Sequence, residues 1–262
     1  MHVAVTGASS GLGEAVAREF ARAGADVTLV SRRKDVLERI AGEFGAGGIG
    51  GVPQGIRTFV ATQDLAEPAR AADWVAAAEA ALGPIDVLVS NAGSLTLGPI
   101  ASFDPDEGER MLNVNLLSPA RLIRAVLPGM LARRSGVIVN VTSLAALVSI
   151  HGWAYQAAGK AGSATFSEAL RAEVKGTGVH VVTVYPGMTD TPMTQGGLDV
   201  YGRKGLVGKI PLGNAAAFAK RLRRAVERRR PRMIYPGFYA LVLWFPRISR
   251  WFARRFAPRL PA

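Results

Sequence analysis

Residues Thr6-Gly-Ala-Ser-Ser-Gly-Leu-Gly13 follow the apolar run His2-Val-Ala-Val5 and open a helical pattern. Gly7, Gly11 and Gly13 carry no Cβ. They permit a tight turn, let backbone approach a pyrophosphate, and let the helix pack close to the strand. The first amides of that helix present free N–H groups and a partial positive charge to an anion. Ser9, Ser10 and Leu12 complete the loop. A glycine turn alone serves packing equally well; its place between a first strand and a first helix points to a dinucleotide phosphate site.

Outward from this loop, short β-rich runs alternate with helix-length segments. Strands are expected over 2–6, 26–31, 57–61, 86–90, 136–142 and 179–185. Helices are expected over 12–23, 33–44, 67–82, 108–133 (with an interruption) and 154–175. This order implies an α/β fold, a single doubly wound parallel sheet with helices on both faces. Gly45 to Gly55 reads as a surface loop. Gly196 to Gly213 is polar and glycine-rich, placed as a flap over a substrate pocket.

Composition sets limits on the rest. The 262 residues are 49% hydrophobic and 20% charged, which excludes a disordered chain and a coiled coil. There is no cysteine, so disulfides, thiolate metal sites and cysteine nucleophiles are excluded. Three histidines at unrelated positions argue against a structural zinc site, and no metal is expected. The net charge of +12 is not spread over the chain. From Lys220 onward 13 basic residues face one acid, Glu227, while the first 219 residues balance 19 against 19. No signal peptide is expected at the start, and no run reaches the ~20 apolar residues of a membrane-spanning helix. The expected location is cytoplasmic.

The second strand ends Leu29-Val-Ser-Arg-Arg33. An acid at this point bonds a ribose 2′-hydroxyl, whereas arginine suits a 2′-phosphate. Arg32 and Arg33 therefore favour NADP(H) over NAD, against the bland alternative of two solvated arginines that start a helix.

At this point the residues resemble the short-chain dehydrogenase/reductase family, over about residues 1 to 195. Gly7, Gly11 and Gly13 match its glycine turn in a Rossmann-like sheet. Asp64-Leu65, after the third strand, is similar to the pair that holds the adenine ring. Asn91-Ala92-Gly93 is similar to its motif beside the cofactor ribose. Asn115 matches the helix asparagine of a proton relay, and Ser143 the catalytic serine at the end of the fifth strand. Pro186-Gly187 and Thr191 resemble the segment at the nicotinamide carboxamide, and Lys160 the lysine that holds the ribose. Each motif is weak alone; the ordered set is specific. The resemblance implies hydride exchange between NADP(H) and a carbonyl or alcohol carbon. A tyrosine would act as general acid, with its pKa lowered by the lysine. It also implies a homo-oligomer.

The family places that tyrosine four residues before the lysine. In Trp153-Ala-Tyr-Gln-Ala-Ala-Gly-Lys160, Tyr155 lies five before Lys160 and Gln156 lies four before it. A spacing of four leaves two helical side chains ~40° apart, a spacing of five ~140°. Three arrangements are open. A π-bulge absorbs the extra residue and returns Tyr155 to the face. Tyr155 swings in from just outside the regular helix. Or Tyr155 is an ordinary buried aromatic and the relay is broken. The expected catalytic set is Asn115, Ser143, Tyr155 and Lys160. His151 is a substitute acid, weighed against a solvated loop histidine. The rival class is a cofactor-binding member without redox turnover, or a dehydratase or isomerase, because an amide does not titrate.

The domain division expected is 1–215 for the cofactor-binding catalytic unit and 216–262 for a basic, aromatic tail. Ala215 to Arg230 reads as a cationic amphipathic helix. Beyond it Ile248, Trp251, Phe252 and Phe256 recur at helical spacing among Arg247, Arg250, Arg254, Arg255 and Arg259. This pattern suits a peripheral helix on an anionic membrane surface, at about 1 kcal/mol per arginine. The alternatives are packing on the body or an oligomer contact. No nucleic-acid recognition fold appears. An apolar tail near the pocket points to a lipophilic small-molecule substrate.

Overall fold

The computed structural model describes residues 1–46, 51–201 and 211–256. Residues 47–50 of the Gly45–Gly55 loop, 202–210 of the Gly196–Gly213 segment, and 257–262 with Arg259 lie outside the described residues.

The first half runs β1 (His2–Thr6), α1 (Gly11–Arg22), β2 (Asp26–Ser31), α2 (Lys34–Gly45), β3 (Thr58–Thr62), α3 (Val75–Leu82) and β4 (Val87–Ser90). Then follow α4 (Pro105–Leu112), a π-helical turn over Asn113–Leu117, and α5 (Ser118–Ala132). The second half holds β5 (Gly136–Val141), α6 (Ala154–Glu173), β6 (Val179–Pro186), α7 (Pro192–Val200), α8 (Ala215–Glu227), β7 (Arg232–Tyr235), α9 (Leu241–Trp244) and α10 (Pro246–Phe256). The strands form one seven-stranded sheet in the order β3-β2-β1-β4-β5-β6-β7, and every pairing is parallel. This is the doubly wound, Rossmann-like sheet expected.

Parallel strands are covered on both faces, so they read as continuous apolar runs. All five residues of β1 are buried. The pleat sends them alternately to two cores. Val3 and Val5 join α1, α2 and α8, through Val16, Phe20, Leu37, Phe44, Phe218 and Leu222. Ala4 joins α3, α5 and α6, through Val75, Ala78, Leu122, Val126 and Leu170. Strand order reverses between β1 and β4. The loops leaving these two strands part there and open a crevice at the carboxyl edge, where this architecture places ligands.

Three expectations need correction. Only the second part of the helix expected over 67–82 forms, as α3; Pro68 opens a separate 3₁₀ turn, Pro68–Arg70, because its ring fixes φ at a helix start. The fold does not end at residue 215. α8 packs Phe218, Ala219, Leu222 and Ala225 into the core beside α1, and Arg223 Nε donates to the buried Glu19 at 2.9 Å. β7 adds a seventh strand against β6, with Met233 buried. Residues 216–235 therefore belong to the body. Their basic residues other than Arg223 are exposed, while the apolar stripe of α8 faces the core. Finally, no π-bulge lies between 155 and 160: α6 is regular, and the π turn falls at Asn113–Leu117. Among the described residues no helix is long and apolar enough to cross a membrane.

Candidate active site

At the crevice Gly7 and Gly11 take φ of +67° and +56°, conformations that favour glycine. A Cβ on Gly13 would lie 2.1 Å from the carbonyl oxygen of Gly7, so only hydrogen fits there. The turn is locked to the end of β4. Thr6 Oγ1 accepts from the backbone N–H groups of Asn91 and Ala92, each at 3.0 Å, and Asn91 Nδ2 donates to the Thr6 carbonyl at 3.0 Å. Ser10 precedes α1 in an extended conformation, and no side chain caps the helix. The first-turn amides of α1 thus face the crevice as anion donors.

Arg33 leans over the loop. Its Nη2 donates to the Ser9 carbonyl and to Ser9 Oγ, both at 2.9 Å. Arg32 stands exposed beside it. Two guanidinium groups and the Ser9 hydroxyl so gather at the end of β2. Across the crevice Asp64 Oδ1 accepts from the N–H of Ala66 at 2.9 Å, and Asp64 Oδ2 pairs with Arg110 at 3.6 Å. Leu65 is buried, and Ser118 Oγ donates to its carbonyl at 2.6 Å, which holds this strand end against α5.

One cavity of about 880 Å³ joins these parts to the ends of β5 and β6. It is lined by Gly7, Ser9, Ser10, Gly11, Leu12, Arg32, Arg33, Asp64, Leu65, Asn91, Ala92 and Gly93, then by Ser143, Lys160, Pro186, Gly187 and Thr191. Gly13 and Asn115 stand behind the wall and shape it. Tyr155 does not line it. Its ring packs on Phe103, with centroids 5.0 Å apart, and covers Gly108 so closely that a Cβ there would meet Tyr155 Cζ at 2.3 Å.

Gln156 takes the place in the wall. It is buried, and its Oε1 accepts from Asn115 Nδ2 at 2.9 Å. Asn115 Nδ2 also donates to the Ser94 carbonyl at 2.9 Å, and its Oδ1 accepts from the Ser94 N–H at 3.2 Å. A Cβ on Gly159 would lie 3.0 Å from Asn115 Cβ, so α6 sits hard against the π turn. These contacts fix the rotation of α6. Gln156 and Lys160, four apart, share the inward face, and Tyr155 is turned outward. Gln156 lines the cavity, and with its oxygen serving Asn115 it has only amide N–H groups to offer a further partner.

Lys160 is buried, and Nζ donates to the Val141 carbonyl at 3.0 Å. Burial pushes its pKa down to about 8, because the ammonium has lost water. No carboxylate pairs with it among the described residues. Ser143, extended at the end of β5, accepts the N–H of Ala145 at 3.1 Å through Oγ, which leaves the hydroxyl proton for a ligand. His151 is exposed and does not line the cavity.

The sequence reading missed several walls of this cavity. Tyr239 lies over Gly187, where a Cβ would meet its ring at 2.3 Å. Tyr201 OH donates to the His151 carbonyl at 2.7 Å and accepts from Trp153 Nε1 at 2.7 Å. Leu95, Val148, Met193 and, from α10, Ile248 and Phe252 complete a largely apolar end. Gln156 was legible through its spacing; the others came from segments whose docking has no local signature.

Residues 1–199 match the family model described as short chain dehydrogenase. A short chain dehydrogenase of Pseudocercospora fijiensis is 38% identical over 191 residues, 72% of this chain and 60% of that relative. Dehydrogenase/reductase SDR family member 7B of Bos taurus is 34% identical over 202 residues, 77% of this chain and 62% of that relative. The chain thus spans about three fifths of the length of these curated relatives. A solved short-chain dehydrogenase from Sphingobium yanoikuyae, in complex with NADPH, has a TM-score of 0.76 to it at 28% identity, covering 93% of this chain and 90% of that one. With its glycine turn, its sheet order and the ordered motifs along the crevice, this chain belongs to the short-chain dehydrogenase family.

Proposed function

We propose that the chain binds NADP(H) and interconverts a carbonyl and an alcohol on a lipophilic small molecule. The observation that carries this reading is the single cavity that runs from the glycine cradle, past Arg32 and Arg33, to Ser143, Gln156 and Lys160. The cradle fits the cofactor, since Gly7, Ser10 and Gly11 line it, a Cβ at Gly13 would collide with the Gly7 carbonyl that shapes it, and the α1 amides supply donors for its phosphates. Ser9, Arg32 and Arg33 would hold the 2′-phosphate, and Asp64 and Leu65 the adenine. Asn91 to Gly93 and Lys160 would flank the ribose, with Pro186, Gly187 and Thr191 at the carboxamide. The bound cofactor supplies or accepts the hydride.

The proton is the part in which this chain departs from its family. Ser143 Oγ and the Gln156 amide N–H groups would hold the substrate oxygen. Gln156 cannot release a proton, and Tyr155 is turned to the outer side of α6, against Phe103 and Gly108. Lys160 Nζ is the ionisable donor on the inward face of α6, with a pKa of about 8 that suits proton exchange near neutral pH. In reduction the ammonium gives a proton to the oxygen that gains charge and becomes an amine; in oxidation the amine takes it back. The apolar end of the cavity would receive the substrate's hydrocarbon part.

A second reading keeps the cofactor and drops the redox step. It is favoured by the same Gln156, whose amide completes a hydrogen-bonded wall with Asn115 without offering an acid. One experiment separates the two. NADPH binding is titrated by fluorescence, and NADPH oxidation is followed with medium-chain aldehydes and ketones. The oxidoreductase reading expects turnover that falls above about pH 8 as Lys160 deprotonates. Lys160→Met should lower it at least about 100-fold, the scale of a lost general acid, while Tyr155→Phe changes it less than about twofold. Tight NADPH binding with no turnover across the panel would leave the second reading.

A further inference from the structure

Among the described residues, seven of the fifteen exposed large apolar ones fall within Phe238 to Phe252. Trp244 is 77% exposed and Trp251 62%. Large aromatic side chains with this much surface in solvent, clustered on one segment, mark an interaction surface. The same segment is basic. Arg247 and Arg250 are exposed, and Arg247, Arg250, Arg254 and Arg255 fall within the 11 residues of α10, which has no acid.

The segment is also a wall of the active-site cavity. Ile248, Ser249, Phe252 and Ala253 of α10 line it. Ile248 is 63% exposed and Phe252 45%, so both stand at the mouth rather than in the interior. Met193, at the start of α7, is 45% exposed and lines the cavity too. The mouth is therefore rimmed by apolar side chains, and the surface around it is aromatic and cationic.

We propose that α9 and α10 seat the protein on an anionic bilayer, with Trp244 and Trp251 in the interfacial layer and the arginines at lipid phosphates, so that the cavity mouth at Ile248 and Phe252 opens onto lipid and draws an apolar substrate from it. This proposal rests on the reading of the cavity as a site for a lipophilic substrate. Charge selects the occupant. A positively charged, tryptophan-bearing helix too short to span matches the headgroup layer, where tryptophan and arginine each have a favourable place. A second copy of this chain would bring the same cationic face against itself.

The test uses the full chain loaded with NADPH. Flotation with vesicles of 70% phosphatidylcholine and 30% phosphatidylglycerol is compared with vesicles of pure phosphatidylcholine. Binding is expected to the anionic vesicles, weaker in high salt, and more than about tenfold weaker in Trp244→Ser/Trp251→Ser and in Arg247→Glu. None of these three residues lines the cavity, so NADPH affinity should be unchanged. Brominated acyl chains in the anionic vesicles should quench tryptophan fluorescence, and the double tryptophan variant should lose that quenching. Three results overturn the proposal: no binding to anionic vesicles while NADPH stays bound, binding indifferent to these substitutions, or a dimer in solution that Trp244→Ser/Trp251→Ser dissociates. Vesicle binding by a chain that does not bind NADPH would sink the oxidoreductase reading and leave the docking surface standing.

Discussion

Gln156 and Tyr155 are neighbours in sequence, yet one lines the cavity and the other does not. Gln156 bonds Asn115 in the cavity wall, and Tyr155 covers Gly108 outside it. Lys160 shares the inward face, and among the described residues no phenol or carboxylate pairs with it. Its folded pKa of about 8 lies below its ordinary 10.5. Between those values the unfolded chain binds more protons, so stability rises with pH across that window. Below pH 8 the buried ammonium costs up to about 3 kcal/mol. Lys160→Met should therefore be more stable than the parent at pH 7 in urea melts of the cofactor-free chain. That advantage should shrink toward pH 10.5; an advantage that grows with pH would refute the assignment. Gly13 gives a second expectation at this scale. Gly13→Ala forces the turn away from a carbonyl, and NADPH affinity should fall more than about tenfold, read by fluorescence titration.

At the scale of elements, two local features decide the site. The π turn at Asn113–Leu117 brings Asn115 against α6 and sets the rotation that points Gln156 inward. α8 and β7 close the far side of the sheet. Phe218 is fully buried against the core beside α1, so Phe218→Ala should lose about 3–5 kcal/mol in denaturant melts. Removal of residues 216–262 strips a strand and a core helix, and the product should show no cooperative thermal transition by circular dichroism. Removal of 241–262 alone should leave one. If the shorter product of these two still melts cooperatively, α8 is an appendage and the core assignment fails.

At the scale of the molecule, the cavity draws on the carboxyl ends of β1, β2, β3, β4, β5 and β6. A cofactor in it ties both halves of the sheet together, and only the folded chain offers that site. NADPH at 100 times its dissociation constant should add about 2.7 kcal/mol. In a chain of this length that raises the melting temperature by roughly 5–10 °C. NADH at the same concentration should give less than half the shift if Arg32 and Arg33 read the 2′-phosphate. Equal shifts would show that the two arginines make no such distinction.

The sequence by itself determined six strands of the sheet, the glycine turn and the order of motifs. Each rests on a local physical requirement: apolar runs buried on two faces, glycines where no Cβ fits, a cationic pair at one strand end. It also exposed the shifted spacing of Tyr155 and Lys160, and left three outcomes open. Only the tertiary structure chose among them. The rotation of α6 is set by Asn115 and Gly159, more than 40 residues apart in the chain, and the outward seat of Tyr155 depends on Gly108 in α4. The same holds for the region after residue 215. Its charge was visible at once, yet its split into a core helix, an edge strand and an exposed aromatic helix follows from packing against α1 and β6, and no local pattern encodes a distant partner.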